Sequence, residues 1–82
     1  MKITVKFFSS LMEYLPTNGT DNSIELNEAV AVSPLQIIDR YKIPHNEVRT
    51  MMKNGTFLPE QDRNISLEDG DVLTVWPAIQ GG

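Results

Sequence analysis

Ser33-Pro34-Leu35-Gln36-Ile37 is the clearest helix start in the chain. The Ser33 hydroxyl can accept a hydrogen bond from a first-turn N–H, Pro34 suits the first helical position because an N–H there has no partner, and Gln36 can reach back to the cap. Val32 and Ile37 stand at the two positions where apolar side chains staple a helix entry. The helix is expected to turn Leu35, Ile38 and Tyr41 toward the core. It should end by Ile43, since Pro44 pushes the residue before it out of the helical region.

Outside this segment the apolar residues follow the period of a strand. Residues 2–8 place Ile3, Val5 and Phe7 on one side and Lys2, Thr4, Lys6 and Phe8 on the other; residues 23–28 alternate again around Ile24 and Leu26. Between them, Ser10-Leu11-Met12-Glu13 has the spacing of a capping box, with Leu11 and Leu15 on one face of a short helical segment stopped by Pro16. Residues 16–22 read as a loop. Residues 48–53 and 56–58 flank Asn54-Gly55, a pair suited to the two positive φ angles of a tight hairpin turn. Leu67-Glu68-Asp69-Gly70-Asp71 is a further turn, leading into Val72-Leu73-Thr74-Val75-Trp76, a last strand halted by Pro77.

The order strand, strand, helix, strand, strand, strand predicts an α+β domain: a mixed sheet of about five strands with one main helix packed across one face. There is no internal repeat, low-complexity tract or linker. Residues 1–77 form one domain on this reading, and residues 78–82 a flexible tail.

The chain has 82 residues, too few for a second domain or for the walls of a deep catalytic pocket. Seven Lys and Arg against eleven Asp and Glu give a net charge of −4, the wrong sign for neutralising phosphates, so no nucleic acid is expected as partner. Cysteine is absent, which removes disulfides, thiolate metal sites and a cysteine nucleophile. The polar residues that interrupt the N-terminal strand do not fit a signal peptide, and no apolar run could span a membrane. A cytoplasmic location and no membrane partner are expected.

After Pro77 come Ala78-Ile79-Gln80-Gly81-Gly82. The pattern Leu67-x-Asp69-Gly70-Asp71-Val72-x-x-x-Trp76-Pro77-x-x-x-Gly81-Gly82 resembles the C-terminus of the ubiquitin-like sulfur carriers, and Phe7-Phe8-Ser9-Ser10-Leu11-Met12-Glu13 is similar to the opening of the small subunit of molybdopterin synthase. With the Asn54-Gly55 hairpin and the element order, the resemblance covers nearly the whole chain, although the middle third matches only in pattern. Met12 stands where that subunit often has Arg, and Pro77-Ala78 replaces a frequent Pro-Pro.

The resemblance implies a ubiquitin-like β-grasp fold and a carrier or cosubstrate, not an enzyme. No cofactor would be bound; ATP would be consumed by a separate adenylyltransferase related to ubiquitin-activating enzymes. Gly82 would carry first the adenylate and then the thiocarboxylate, its sulfur coming from a cysteine desulfurase or a rhodanese-type donor. The acceptor would be the large catalytic subunit of molybdopterin synthase or another sulfur-accepting enzyme, with thiazole synthesis for thiamine and conjugation to lysines as alternatives using the same tail. The residue chemistry agrees. A carboxylate is a poor electrophile until its oxygen becomes part of a good leaving group, Gly81 and Gly82 lack the Cβ that would obstruct a narrow channel, and five residues reach about 17 Å.

Other constellations carry less. His45 is the only histidine and has no cysteine or second histidine with which to share a metal, so it reads as a loop residue and no metal site is expected. Glu68, Asp69 and Asp71 could hold a cation, but Asp69-Gly70 is more simply a turn. If the first and last strands are neighbours, as the resemblance implies, Phe8 shares a face with Thr74 and Trp76, and Phe57 can join them; such a patch anchors protein partners. Partner binding is therefore expected at Phe8, Phe57 and Trp76, and with them Pro77, Ile79 and Gln80. The rival reading is a plain ubiquitin-like interaction domain with an incidental double glycine.

Overall fold

Alternating side chains in the first strand supply the centre of the core. In the computed structural model, which describes residues 1–16 and 21–78, β1 (Lys2–Phe7) buries Ile3, Val5 and Phe7 completely. It lies between β2 (Ser23–Asn27), which pairs antiparallel with Ile3 opposite Leu26 and Val5 opposite Ile24, and β5 (Val72–Pro77), which pairs parallel with Val5 opposite Leu73 and Phe7 opposite Val75. On the far side of β5, β3 (Val48–Lys53) runs antiparallel with Met51 opposite Val75, and β4 (Thr56–Phe57) forms the edge. The sheet order is β2-β1-β5-β3-β4. Helix α1 (Pro34–Arg40) closes the inner face, and its Ile37 and Ile38 join the sheet residues in one cluster. The expected α+β architecture is borne out.

The start of α1 forms as its residues dictate. Gln36 N–H donates to Ser33 Oγ at 3.2 Å and Ser33 N–H to Gln36 Oε1 at 2.8 Å, while Val32 and Ile37 are both buried. The buried face differs from expectation: Pro34, Ile37 and Ile38 face the core, Tyr41 packs at its edge, and Leu35 is only half-buried. A stripe at i, i+3, i+4 and i+7 starting from Pro34 gives this set, so the staple at Ile37 sets the phase and leaves Leu35 at the margin. The end is also earlier than Pro44 requires. Lys42 takes φ 59°, with its N–H on Asp39 C=O (3.0 Å) and Ile43 N–H on Ile38 C=O (3.1 Å), the paired bonds of a Schellman stop.

The box expected at Ser10–Glu13 does not form. Residues Ser9–Tyr14 make a 3-10 turn whose cap position is Phe8, without a side-chain cap bond. The sheet dictates this entry, because Phe8 N–H is already tied to Val75 C=O (3.1 Å) and Phe8 C=O takes Leu11 N–H (3.1 Å). Leu11 is still fully buried, and Leu15 packs against the core.

Both expected turns are present. Asn54 (φ 53°) and Gly55 (φ 81°) supply the two positive angles of the hairpin. The Asn54 side chain also donates to Asp71 Oδ1 and accepts from Val72 N–H, each at 2.8 Å, which ties this hairpin to the start of β5. In the second turn Gly70 takes φ 88°, Asp71 N–H reaches Glu68 C=O at 3.1 Å, and the Asp71 carboxylate accepts Glu68 N–H at 2.8 Å. Asp69 Oδ1 accepts Lys2 N–H at 2.6 Å. Two of the three acidic residues of this cluster thus bind backbone.

Asp71 gives a pH prediction. Burial pushes its carboxyl up, but the Glu68 N–H, the Asn54 amide and the nearby Lys53 charge together outweigh it and hold it below the usual carboxylate value. A depressed folded value means that its contribution is full above the ordinary carboxylate range and is lost as pH falls through the folded value. Urea midpoints should therefore drop from about pH 5 downward. Asp71→Asn should cost about 1–3 kcal/mol at neutral pH and flatten that acid limb; an unchanged limb would contradict the assignment.

Candidate functional site

The central position of β5 determines what its outer face displays. With Leu73 and Val75 fully buried, Thr74 and Trp76 point away from α1. The parallel register that sets Phe7 opposite Val75 carries the next residue, Phe8, alongside Trp76. Their rings stack with centroids 5.0 Å apart and planes 6° from parallel. Both are half-buried, each ring covering part of the other's apolar face.

β3 extends this surface. Thr50 lies opposite Trp76, and Met52 lies opposite both Thr74 in β5 and Phe57 in β4. Phe57, 62% exposed, therefore shares the outer face but sits two strands from the stack, with Met52 between. The structure joins Phe8 and Trp76 and leaves Phe57 apart. An irregularity in the β3–β5 register between Val48 and Thr50 accommodates Arg49, whose carbonyl accepts a hydrogen bond from the buried Arg63 side chain (Nη2, 3.0 Å).

Beside the stack is an open groove of about 610 Å³. Its walls are Ser9 and Ser10 from the 3-10 turn, Arg49, Thr50 and Met52 from β3, and Trp76 to Ala78 from the end of β5. Arg49 is the only charged residue among these, so the groove is apolar with a single cation although the chain is acidic overall. Arg49, Thr50 and Met52 were not singled out from the sequence. Outward alternation around Met51 could have indicated Thr50 and Met52, but Arg49 depends on the bulge.

The groove reaches Pro77 and Ala78, the last of the described residues. Pro77 lies opposite Val48, and Ala78 N–H donates to Glu47 C=O at 3.0 Å. The Glu47 carboxylate accepts the Tyr14 hydroxyl at 2.9 Å. That hydrogen bond is the main reason the Tyr14 phenol is held above its ordinary value, with burial and the charges of Glu47 and Glu13 adding to it. Of the residues expected to act, Ile79, Gln80, Gly81 and Gly82 lie outside the described residues. His45 sits in an exposed 3-10 turn, its Nε2 2.6 Å from Asp39 Oδ1.

The architecture, a five-stranded mixed sheet with parallel first and last strands and one helix across it, is the ubiquitin-like β-grasp. Within that class, residues 1–81 match the model of the Mut7-C ubiquitin family, and the chain belongs to that family. Among solved structures it is similar to SAMP1 from Haloferax volcanii, at 13% identity over the full length of both chains with a TM-score of 0.66. It is also similar to a chain in the protein–protein complex of subunits 1 and 2 of the molybdopterin-converting factor from Helicobacter pylori 26695, at 17% identity, again over all of both chains, with a TM-score of 0.59. No curated protein matches the sequence. The resemblance read from the residues is borne out at the level of family and fold.

Proposed function

We propose that this protein is a cytosolic sulfur carrier whose Gly82 carboxylate is activated and thiolated by partner enzymes. One observation carries the reading: the groove beside the Phe8–Trp76 stack is walled at one end by Ala78, so a partner that covers the stack also covers the root of the tail. Docking and chemistry are then coupled by position. A partner with its own ATP site lets the Gly82 carboxylate attack the α-phosphate with loss of pyrophosphate; a donor persulfide then displaces AMP to give an acyl disulfide, and a second thiol of the partner cleaves its S–S bond, forming a disulfide with the donor and releasing the thiocarboxylate.

The dithiolene of a molybdenum or tungsten pterin cofactor is the proposed destination, supported by the likeness of residues 7–13 to the small subunit of molybdopterin synthase. The Helicobacter pylori structure is a complex of two subunits, which supports docking as the mode of action for a domain of this shape.

Intact-mass spectrometry tests the proposal. After incubation with ATP, an adenylating enzyme and a sulfur donor, the chain should gain the oxygen-to-sulfur mass difference on its last residue, and deletion of Gly81-Gly82 should abolish the gain. A lysine adduct in place of that gain would indicate a protein modifier. No change with any adenylating enzyme, together with full function of the truncated chain, would leave an interaction domain.

A further inference from the structure

Three stretches distant in the chain meet where β5 ends. Tyr14 closes the 3-10 turn after β1, Glu47 closes the one before β3, and Ala78 follows the last strand residue. Ala78 N–H is held by Glu47 C=O at 3.0 Å, and Glu47 is held in turn by its own N–H on Pro44 C=O (3.0 Å) and by its carboxylate on the Tyr14 hydroxyl (2.9 Å). Pro77, having no N–H, cannot donate to the ladder, so the Ala78 N–H is the next main-chain donor after Trp76. Tyr14 packs against the core, which gives this chain of bonds a fixed foundation.

We infer that Tyr14 and Glu47 form a latch that fixes the point and direction at which the tail leaves the fold, and that both are positioning residues for the chemistry at Gly82. The purpose of the latch rests on the carrier reading; its existence does not. A partner that grips Trp76 leaves six residues before the carboxylate, whereas a held Ala78 leaves four. The effective concentration of a tethered end falls roughly as the −3/2 power of tether length, about twofold for this difference, and loss of the starting direction adds to it. Neither residue needs to touch ATP or the partner's reacting groups for this to act.

The test uses Tyr14→Phe, which keeps the ring and removes the hydroxyl, and Glu47→Ala, which removes the same hydrogen bond from the other side. Glu47→Gln retains an acceptor oxygen and serves as the rescue. Amide exchange of the free protein, followed by NMR, should accelerate severalfold at Ala78 in Tyr14→Phe and Glu47→Ala, stay near the unaltered rate in Glu47→Gln, and remain slow at Phe7 and Val75 throughout. In pyrophosphate release with an adenylating enzyme, the first two variants should lose about two- to tenfold in kcat at unchanged KM. Unaltered Ala78 exchange in both variants would overturn the latch. Faster exchange with unchanged kcat, or a loss confined to KM, would overturn the positioning role. An unaltered chain that no enzyme adenylates would overturn the carrier reading instead, and Ala78 exchange would still decide the latch.

Discussion

Phe7→Ala is expected to leave the domain close to unfolding. Phe7 is fully buried at the end of β1, opposite Val75 of β5, and meets the Tyr41 ring edge-on, with centroids 6.0 Å apart. Truncating a buried phenylalanine typically costs about 3–5 kcal/mol, from lost burial and from the cavity left behind. A domain of this length has roughly 4–12 kcal/mol in total, so the loss is a large fraction of all that holds it together. Melting followed by circular dichroism should show Tm lowered by about 12–40 °C, at about 4–8 °C per kcal/mol for a domain of this size. A fall of only a few degrees would mean that the inner face can repack without the ring.

Trp76→Ala should behave in the opposite way. Trp76 lies on the outer face, half-buried, and its close aromatic contact is the stack on Phe8. Losing that stack removes about 0.5–1.5 kcal/mol, so the fold should persist. Binding to an adenylating enzyme should weaken by about 30-fold or more, since central aromatic anchors commonly contribute 2 kcal/mol or above. Phe57→Ala, two strands away, should have a smaller effect. Isothermal titration together with thermal melting separates the possibilities: collapse of the fold would make Trp76 a core residue, and a Phe57 effect equal to that of Trp76 would extend the patch to the sheet edge.

The two variants probe neighbouring registers of the same strand pair, and their contrast indicates what was legible in the sequence. Features governed by local chemistry could be read directly: the Ser33–Gln36 box, the Asn54-Gly55 hairpin and the Gly70 turn each depend on residues within a few positions of one another. The Phe8–Trp76 stack was legible only through the resemblance, because it requires β1 and β5 to be parallel neighbours. Where tertiary contacts decide, local reading failed. The Ser10–Glu13 spacing gave way to an entry tied to Val75, and the helix face took its phase from Ile37. The bulge at Arg49 and the contact between Tyr14 and Glu47 left no local trace, since each depends on register between segments tens of residues apart.

The place of β5 also has a kinetic side. Among the described residues it is the last strand in chain order, yet it separates the β2–β1 pair from the β3–β4 hairpin. As the chain emerges from a ribosome, β1 to β4 are available before the strand that lies between their two pairs. Closure joins residues 4–7 to residues 72–75, a long-range pairing of the kind that slows folding. The same step stacks Trp76 on Phe8 and brings Ala78 to Glu47, so the outer-face stack and the anchored end of β5 come into being together, once residues 72–78 have been made.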